Sequence, residues 1–367
     1  MLETEVLVVG AGPAGAALAI NLAPSKRVTL IEGQTRLRPH IGESLPPATG
    51  RLLAAMGLLE SFLAQGHAPC YGNRMVWGAR EPAETDFLRD PDGHGWHLNR
   101  TKFDAWMRAA AVARGAELIT PARVVEVWRE GVGWRALLTT ARGGLEVSAR
   151  LIVDASGRAA VVARRMGARR RLRDHLVCRW LSGSARSHGP GAGFTYLEAV
   201  EDGWWYSAPS PDDRRVLAFH TDSDLQVAKA RRGEEMLRAR AQAVSELASV
   251  LNNCAFSPGP ECGLTAAHSA RLDPCVGPGW MAAGDAALSF DPLSSQGLFN
   301  ALYTGLAAAE AAYNWLSGDG DAFANYAEVL VRIWNDYTRQ LDFWYRNETR
   351  WPDAPFWSRR RGIRLAR

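Results

Sequence analysis

Apolar residues fall into two patterns along the chain, and each predicts a different kind of sheet. Val6–Val9, "VTLI" at 28–31 and Leu151–Val153 are nearly unbroken apolar runs. Such runs suit strands buried on both faces, as in a parallel sheet covered by helices. The first turns through glycines into the alanine-rich "PAGAALAINLA". Arg100 stands just before a second helix, which carries Phe103, Trp106 and Met107 on one face. Between residues 166 and 263 the pattern changes. "GAGFTYLEAV", "GWWYSAPSP" and "RRVLAFHTD" are rich in β-branched and aromatic residues and bounded by Gly, Pro or Asp, which predicts an antiparallel sheet. A charged helix follows at "GEEMLRARAQAVSELASVL". Residues 319–350 are helical again, with aromatics at helical spacing that read as a packing stripe. No stretch approaches the roughly 18 apolar residues of a membrane span. The start "MLETEV" carries two acids where a secretory leader would be basic, so a cytoplasmic protein is expected.

The strongest local signal is Gly10-Ala-Gly12-Pro13-Ala14-Gly15, set between the first strand and its helix. Gly10 permits the tight turn, Gly12 lets backbone approach a pyrophosphate, and Gly15 lets helix lie close to strand. The diphosphate would then meet the free N–H groups of the helix. Glu32, followed by Gly33, ends the next strand about twenty residues on, where an acid holds ribose hydroxyls. Further signals recur as far as residue 300. "LIVDASGR" ends a strand in Asp154 and a turn at Gly157, and "GDAALSFDPLSSQGLFNAL" runs from Gly284-Asp285 through Pro292 into a helix opening at Ser295-Gln296-Gly297-Leu298. The glycine motif does not separate FAD from NAD. A loop opening at residue 10 with signals this widely spread suits FAD extended through the domain.

The order GxGxxG, arginine-led helix, DxxG and GDxxxxxxP resembles the flavoprotein monooxygenase superfamily with the p-hydroxybenzoate hydroxylase-type fold, over most of residues 1–165 and 264–315. The resemblance implies an α/β (α+β) fold. It would hold a Rossmann-like FAD-binding domain of the glutathione-reductase type, discontinuous over 1–72, 97–165 and 264–318. A substrate domain with an antiparallel sheet would take 73–96 and 166–263, and a C-terminal helical segment 319–367. It also implies FAD contacts at Ser44, Arg100 and Val125. Gly284-Asp285 would meet the ribose and pyrophosphate, and the helix at Ser295-Gln296-Gly297 would point at the N1–C2 carbonyl edge of the flavin. A helix dipole favours an anion there by roughly 0.3–2 kcal/mol, which favours reduced flavin.

"HIGESLPPATG" and "DGWWYSAPSP" resemble stretches of the flavin-dependent tryptophan halogenases, whose matching signatures read Gly-Glu-Ala-Thr-Ile-Pro and Gly-Trp-x-Trp-x-Ile-Pro. "DPLSSQGL" resembles their Pro-Leu-Glu-Ser-Thr-Gly. On this likeness Trp204, Tyr206 and Pro209 are substrate-cleft candidates. Two departures point away from halogenation. Between Glu43 and Arg100 there is no lysine to carry hypohalous acid, and the glutamate of the Pro-Leu-Glu-Ser run falls on Ser294. Arginine stays protonated and cannot replace that lysine. The Gly-Glu-Ser-Leu-Pro-Pro version also resembles flavoproteins that hydroxylate a tryptophan in a partner protein while tryptophan-derived quinone cofactors are made. The implied activity is an FAD-dependent monooxygenase that hydroxylates an electron-rich aromatic ring through a flavin C4a-hydroperoxide, with molecular oxygen as co-substrate. NAD(P)H would bind transiently, or a partner reductase would supply the electrons. The alternatives are a halogenase-like enzyme on a small indole or phenol, and a flavin-bound assembly factor without turnover. A nicotinamide dehydrogenase fits the GD and DxxG series poorly.

Composition changes this picture little. A 367-residue chain that is 47% hydrophobic and 22% charged has ample core for such a fold. The net charge of +4 is weak evidence for nucleic acid, and the arginine clusters at 163–174 and in the tail lack the interleaved aromatics of a single-strand groove. They read as solvated surface, or as a docking face for an acidic protein substrate. Five scattered cysteines show no metal-ligand spacing. His40, His175 and His220 read as packed or surface residues. Glu43 is the candidate catalytic acid, with loop bracing as its other role.

Overall fold

The computed structural model describes residues 1–34, 41, 44–185, 193–229, 233–252, 254–255 and 261–362. Glu43 and His40 lie outside them. Leu2–Val9 sits inside an eight-stranded sheet, parallel to Gly143–Asp154 on one side and Val28–Ile31 on the other. Trp280–Ala282 and Glu117–Ile119 continue it, again parallel. Val6, Leu7, Val8 and the run Leu151–Val153 are fully buried, because helices cover the sheet and leave no wet face to alternate toward.

Register decides where function can sit. Val9 pairs with Ile31 and with Asp154, and Asp154 pairs with Ala282. Four strands from distant parts of the chain therefore end in one row, and the segments after them share one edge of the sheet. In open α/β sheets that carboxyl edge is where ligands bind. The helices Pro13–Leu22 and Gly297–Leu316 pack together above it. Gly305 makes their close approach possible, since a Cβ there would lie 2.3 Å from the Ala14 carbonyl oxygen.

The second sheet also has eight strands. Leu176–Ala185, Arg214–Asp222, Gly203–Ser210 and Phe194–Val200 are antiparallel neighbours, and Gly72–Val76 joins parallel to Phe194–Val200. Residues 72–86 and 176–266 thus share it. One face (Trp204, Tyr206, Ala208, Val216, Ala218) packs into the main core. The other (Trp205, Leu217, Phe219) packs with Leu237, Ala241 and Leu247 of the helices Gly233–Gln242 and Ser245–Leu251. The C-terminal helix Ala322–Asn347 turns Phe323, Tyr326, Tyr337 and Tyr345 inward, so its aromatic stripe is core. No helix among the described residues is long and apolar enough to cross a membrane.

Candidate cofactor and active site

At the first strand end Gly10 has φ +109°, and a Cβ there would lie 2.3 Å from the Ala155 carbonyl oxygen. A Cβ on Gly15 would come within 1.9 Å of the Gly10 oxygen. These two glycines are required by the protein's own backbone. Gly12 differs, because a Cβ there would meet nothing within 4 Å. It precedes a helix with Pro13 in its first turn, no side-chain cap and no acid in that turn. Free N–H groups beside open space are what a pyrophosphate requires. Ala14, the next residue of the loop, is buried.

Glu32 ends the second strand. One carboxylate oxygen accepts from the Ala11 amide (3.1 Å) and the other from the Gln34 amide (2.9 Å). Arg108 bridges the loops, 3.2 Å from Glu32 and donating to the Ala11 carbonyl at 2.9 Å. Arg100 faces its own helix and pairs with Asp104 at 3.3 Å. Positions 100, 104 and 108 share one helical face, and that spacing is the signal by which Arg108 could have been found. Gly33 lies against the Arg123 side chain, and Val125 is half exposed where its strand slips register.

At the third strand end Asp154 is fully buried. Its carboxylate accepts from Ser156 N and Oγ (3.0 and 2.6 Å) and from the Val162 and Ala163 amides (2.7 and 2.8 Å). Asp154 therefore shapes the turn that holds Gly157, whose φ is +69° and whose free side is open. At the fourth end Gly284, with φ +60°, would put a Cβ 2.6 Å from that of Ala14. The turn at Gly284 thus touches the helix of the first glycine loop. Arg158 sits 3.4 Å from the Asp285 carboxylate, and Arg170 donates to the Asp285 carbonyl at 2.8 Å.

From here the chain enters a tight turn, Pro292–Ser294, then Ser295 at φ +51°, then the helix from Gly297. A left-handed serine is strained, and such strain clusters at ligand sites. Gln296 anchors sideways to Gln340 (3.1 Å), and Leu298 leans on the core. The helix has no side-chain cap and no acid in its first turn, and Gly297 has open space beside it. Gly12, Gly157 and Gly297 each have open space where a Cβ would lie.

Asp291 is the residue the sequence did not signal. It is 1% exposed and caps the Pro292–Ser294 turn through the Leu293 amide (2.9 Å). Tyr345 donates its hydroxyl to the other carboxylate oxygen at 2.7 Å, and the Asp291 amide donates to Tyr337 at 2.7 Å. Burial, reinforced by the nearby Asp174 charge, pushes its carboxyl up to about 7. Trp204 joins this network. Its indole N–H donates to Tyr345 (3.2 Å) and its ring stacks on His220 at 3.7 Å. Trp204 is fully buried, so it is a core residue and not a wall of the cleft, because helices and the main core cover its sheet on both faces. Tyr206 lies beside the "ESLPPATG" stretch, its hydroxyl 2.9 Å from Ser44 Oγ, while Pro209 is half-buried three residues on. Burial holds His97 and His220 down to about 3 and His67 to about 4, so all three are neutral at neutral pH. Among the described residues no cluster could hold a metal ion.

A largely parallel sheet with a glycine loop, a ribose-side acid and a second uncapped helix on one edge marks a dinucleotide-binding protein. The chain belongs to the FAD binding domain family, whose model matches residues 3–255, and it is a flavin-dependent oxidoreductase. It is 28% identical to LodB of Marinomonas mediterranea, which bears the name of an FAD-dependent oxidoreductase, over 98% of this chain and 97% of LodB. The myxobacterial chondrochloren halogenase CndH superposes over 100% of this chain and 87% of its own, with TM-score 0.91 and 26% identity. The peptidyl tryptophan dihydroxylase QhpG, at 24% identity, shares the fold over 100% of this chain and 80% of its own, with TM-score 0.80.

Proposed function

We propose that the protein is an FAD-dependent monooxygenase that hydroxylates an electron-rich aromatic ring, and that its substrate is a tryptophan side chain in a partner protein. One observation carries the reading. At the turn where the halogenase signature has glutamate this chain has Ser294, whose hydroxyl is 2.8 Å from the Asp291 carbonyl and 3.3 Å from the Gln296 amide. That serine supplies no carboxylate, and the lysine of halogenation is absent as well. Buried neutral histidines likewise offer no ready base to form a phenolate. An indole is nucleophilic enough without one. The name of QhpG, a peptidyl tryptophan dihydroxylase essential for tryptophylquinone cofactor biogenesis, supports this choice of substrate.

In this reading the backbone around Gly12 binds the diphosphate, Glu32 the ribose, and the turn at Asp285 the chain toward the ring. FAD, when bound, supplies the oxygen chemistry: with two electrons from NAD(P)H or a reductase and one O₂, one oxygen enters the ring and the other leaves as water. The helix from Gly297 turns its amides and positive end toward negative charge on the ring edge. Tyr206 and Ser44 tie the sheet to the "ESLPPATG" stretch, which would lie over the ring and keep water out. The exposed arginines of the 163–174 cluster, Arg164, Arg165, Arg169 and Arg171, would face a partner of acidic character, while Arg170 and Arg173 bind Asp285 and Asp342.

Intact-mass measurement of candidate partner proteins after incubation with FAD, NADPH and air tests the proposal. Oxygen-dependent mass gain at tryptophan is expected. A bromide- or chloride-dependent gain would establish the halogenase alternative, and tight binding with no mass change an assembly factor.

A further inference from the structure

We propose that Asp291 is a positioning residue for the flavin: by gaining or losing a proton it resets the turn, and the field, that meet the N1–C2 edge of the ring. The inference rests on the FAD reading above.

The geometry is specific. One carboxylate oxygen fixes the Pro292–Ser294 turn through the Leu293 amide, and that turn delivers the left-handed Ser295 and the open N-terminus at Gly297. The other oxygen takes the hydroxyl proton of Tyr345, which in turn accepts from Trp204. The Asp291 amide is held by Tyr337, whose hydroxyl is 2.7 Å from Ser269 Oγ. Asp291 thus joins the turn to the C-terminal helix directly, and through Tyr345 to the substrate sheet.

No cation touches the carboxyl among the described residues. Arg360, from the last helix, lies over the Tyr345 ring (5.0 Å to its centre), but its guanidinium is paired with Asp222 at 2.7 Å. Arg158 donates to the neighbouring Phe290 carbonyl at 3.1 Å. Asp174 adds like charge, its carboxylate caught by the Leu176 and Ser269 amides. A buried carboxyl with two hydrogen-bond donors and no counter-ion in contact, Arg360 acting only from a distance, changes charge near neutral pH. When ionised it sets a negative charge behind the helix start and opposes reduction of the ring to its anion. Reduction then raises the affinity of Asp291 for a proton, and over that interval the potential falls more steeply with pH.

The experiment follows the flavin midpoint potential of the FAD-loaded protein from about pH 5.5 to about pH 8.5, around the ordinary histidine range. The proteins are wild type, Asp291→Asn and Tyr345→Phe. Flavin N1 titrates in all three, so the comparison decides. Wild type should show an added break near pH 7. Asp291→Asn should lack it, and Tyr345→Phe, losing a donor that favours the carboxylate, should show it at higher pH. A purely structural role would not move the pH of a break, so the same pH profile in all three proteins overturns the inference. Infrared titration of the protein without FAD gives an independent reading. A protonated-carboxyl band that disappears near neutral pH in wild type and is missing in Asp291→Asn supports the titration, and no such band overturns it. A wild type that titrates in the infrared yet binds no FAD overturns the flavin reading as well as this one.

Discussion

The two ends of the proposed cofactor site are built on different principles. At the diphosphate end, main chain makes the site. Gly10 and Gly15 are demanded by backbone atoms about 2 Å from where a Cβ would go, and Gly12 and Gly284 line the path beside them. At the ring end, side chains from separated segments brace it, with Tyr345 and Tyr337 bonded to Asp291 and the core residue Trp204 bonded to Tyr345. A main-chain site is nearly all-or-none under substitution. A side-chain site is graded and can be tuned without being lost.

The largest effect expected is Gly15→Val. Its Cβ would start 1.9 Å from the Gly10 oxygen, so the strand–helix unit cannot close. Colourless, largely insoluble protein should result, and a soluble yellow variant would show that the loop is less constrained than its contacts state. Next comes the pH response of the ring end. A carboxyl held near 7 in the fold and near 3.9 when unfolded binds its proton more tightly in the folded state. Stability contributed by this group is therefore full below about pH 4 and falls as pH rises toward 7, by about 4 kcal/mol in all. Urea unfolding at about pH 5 and about pH 8 should show a decline that Asp291→Asn lessens; equal slopes in the two proteins would remove the charge from the account. The smallest effect on the fold, and the sharpest contrast, is Gly12→Ala. Its methyl meets only open space, so the protein without flavin should keep its stability within about 0.5 kcal/mol. FAD affinity should fall about tenfold or more, roughly 1.4 kcal/mol, read by fluorescence titration. A large loss of stability with unchanged affinity would reverse the assignment of that edge.

The same division explains what could be read from sequence. The glycine loop, Glu32 and the strands before them are local, and apolar runs with spaced glycines express them directly. The Gly284 turn was visible as a signal, but its contact with Ala14 follows from strand order, which no spacing reveals. Tyr345 and Asp291 lie far apart in sequence, and neither carries a motif for the other. Trp204 was legible as an aromatic strand residue but its burial was not, since Trp204 and Trp205 face opposite sides and both are fully buried. Two-sided burial erases the alternation that would have told inside from outside. Arg108 was within reach of helical periodicity, two turns beyond Arg100.

The aligned row of strand ends also sets a timetable. Its last member, Trp280–Ala282, pairs with a strand that finishes at Asp154 and that itself pairs with one finishing at Val9. The row of strand ends is therefore incomplete until residue 282 has left the ribosome. Loading of the coenzyme must wait for that last strand to pair.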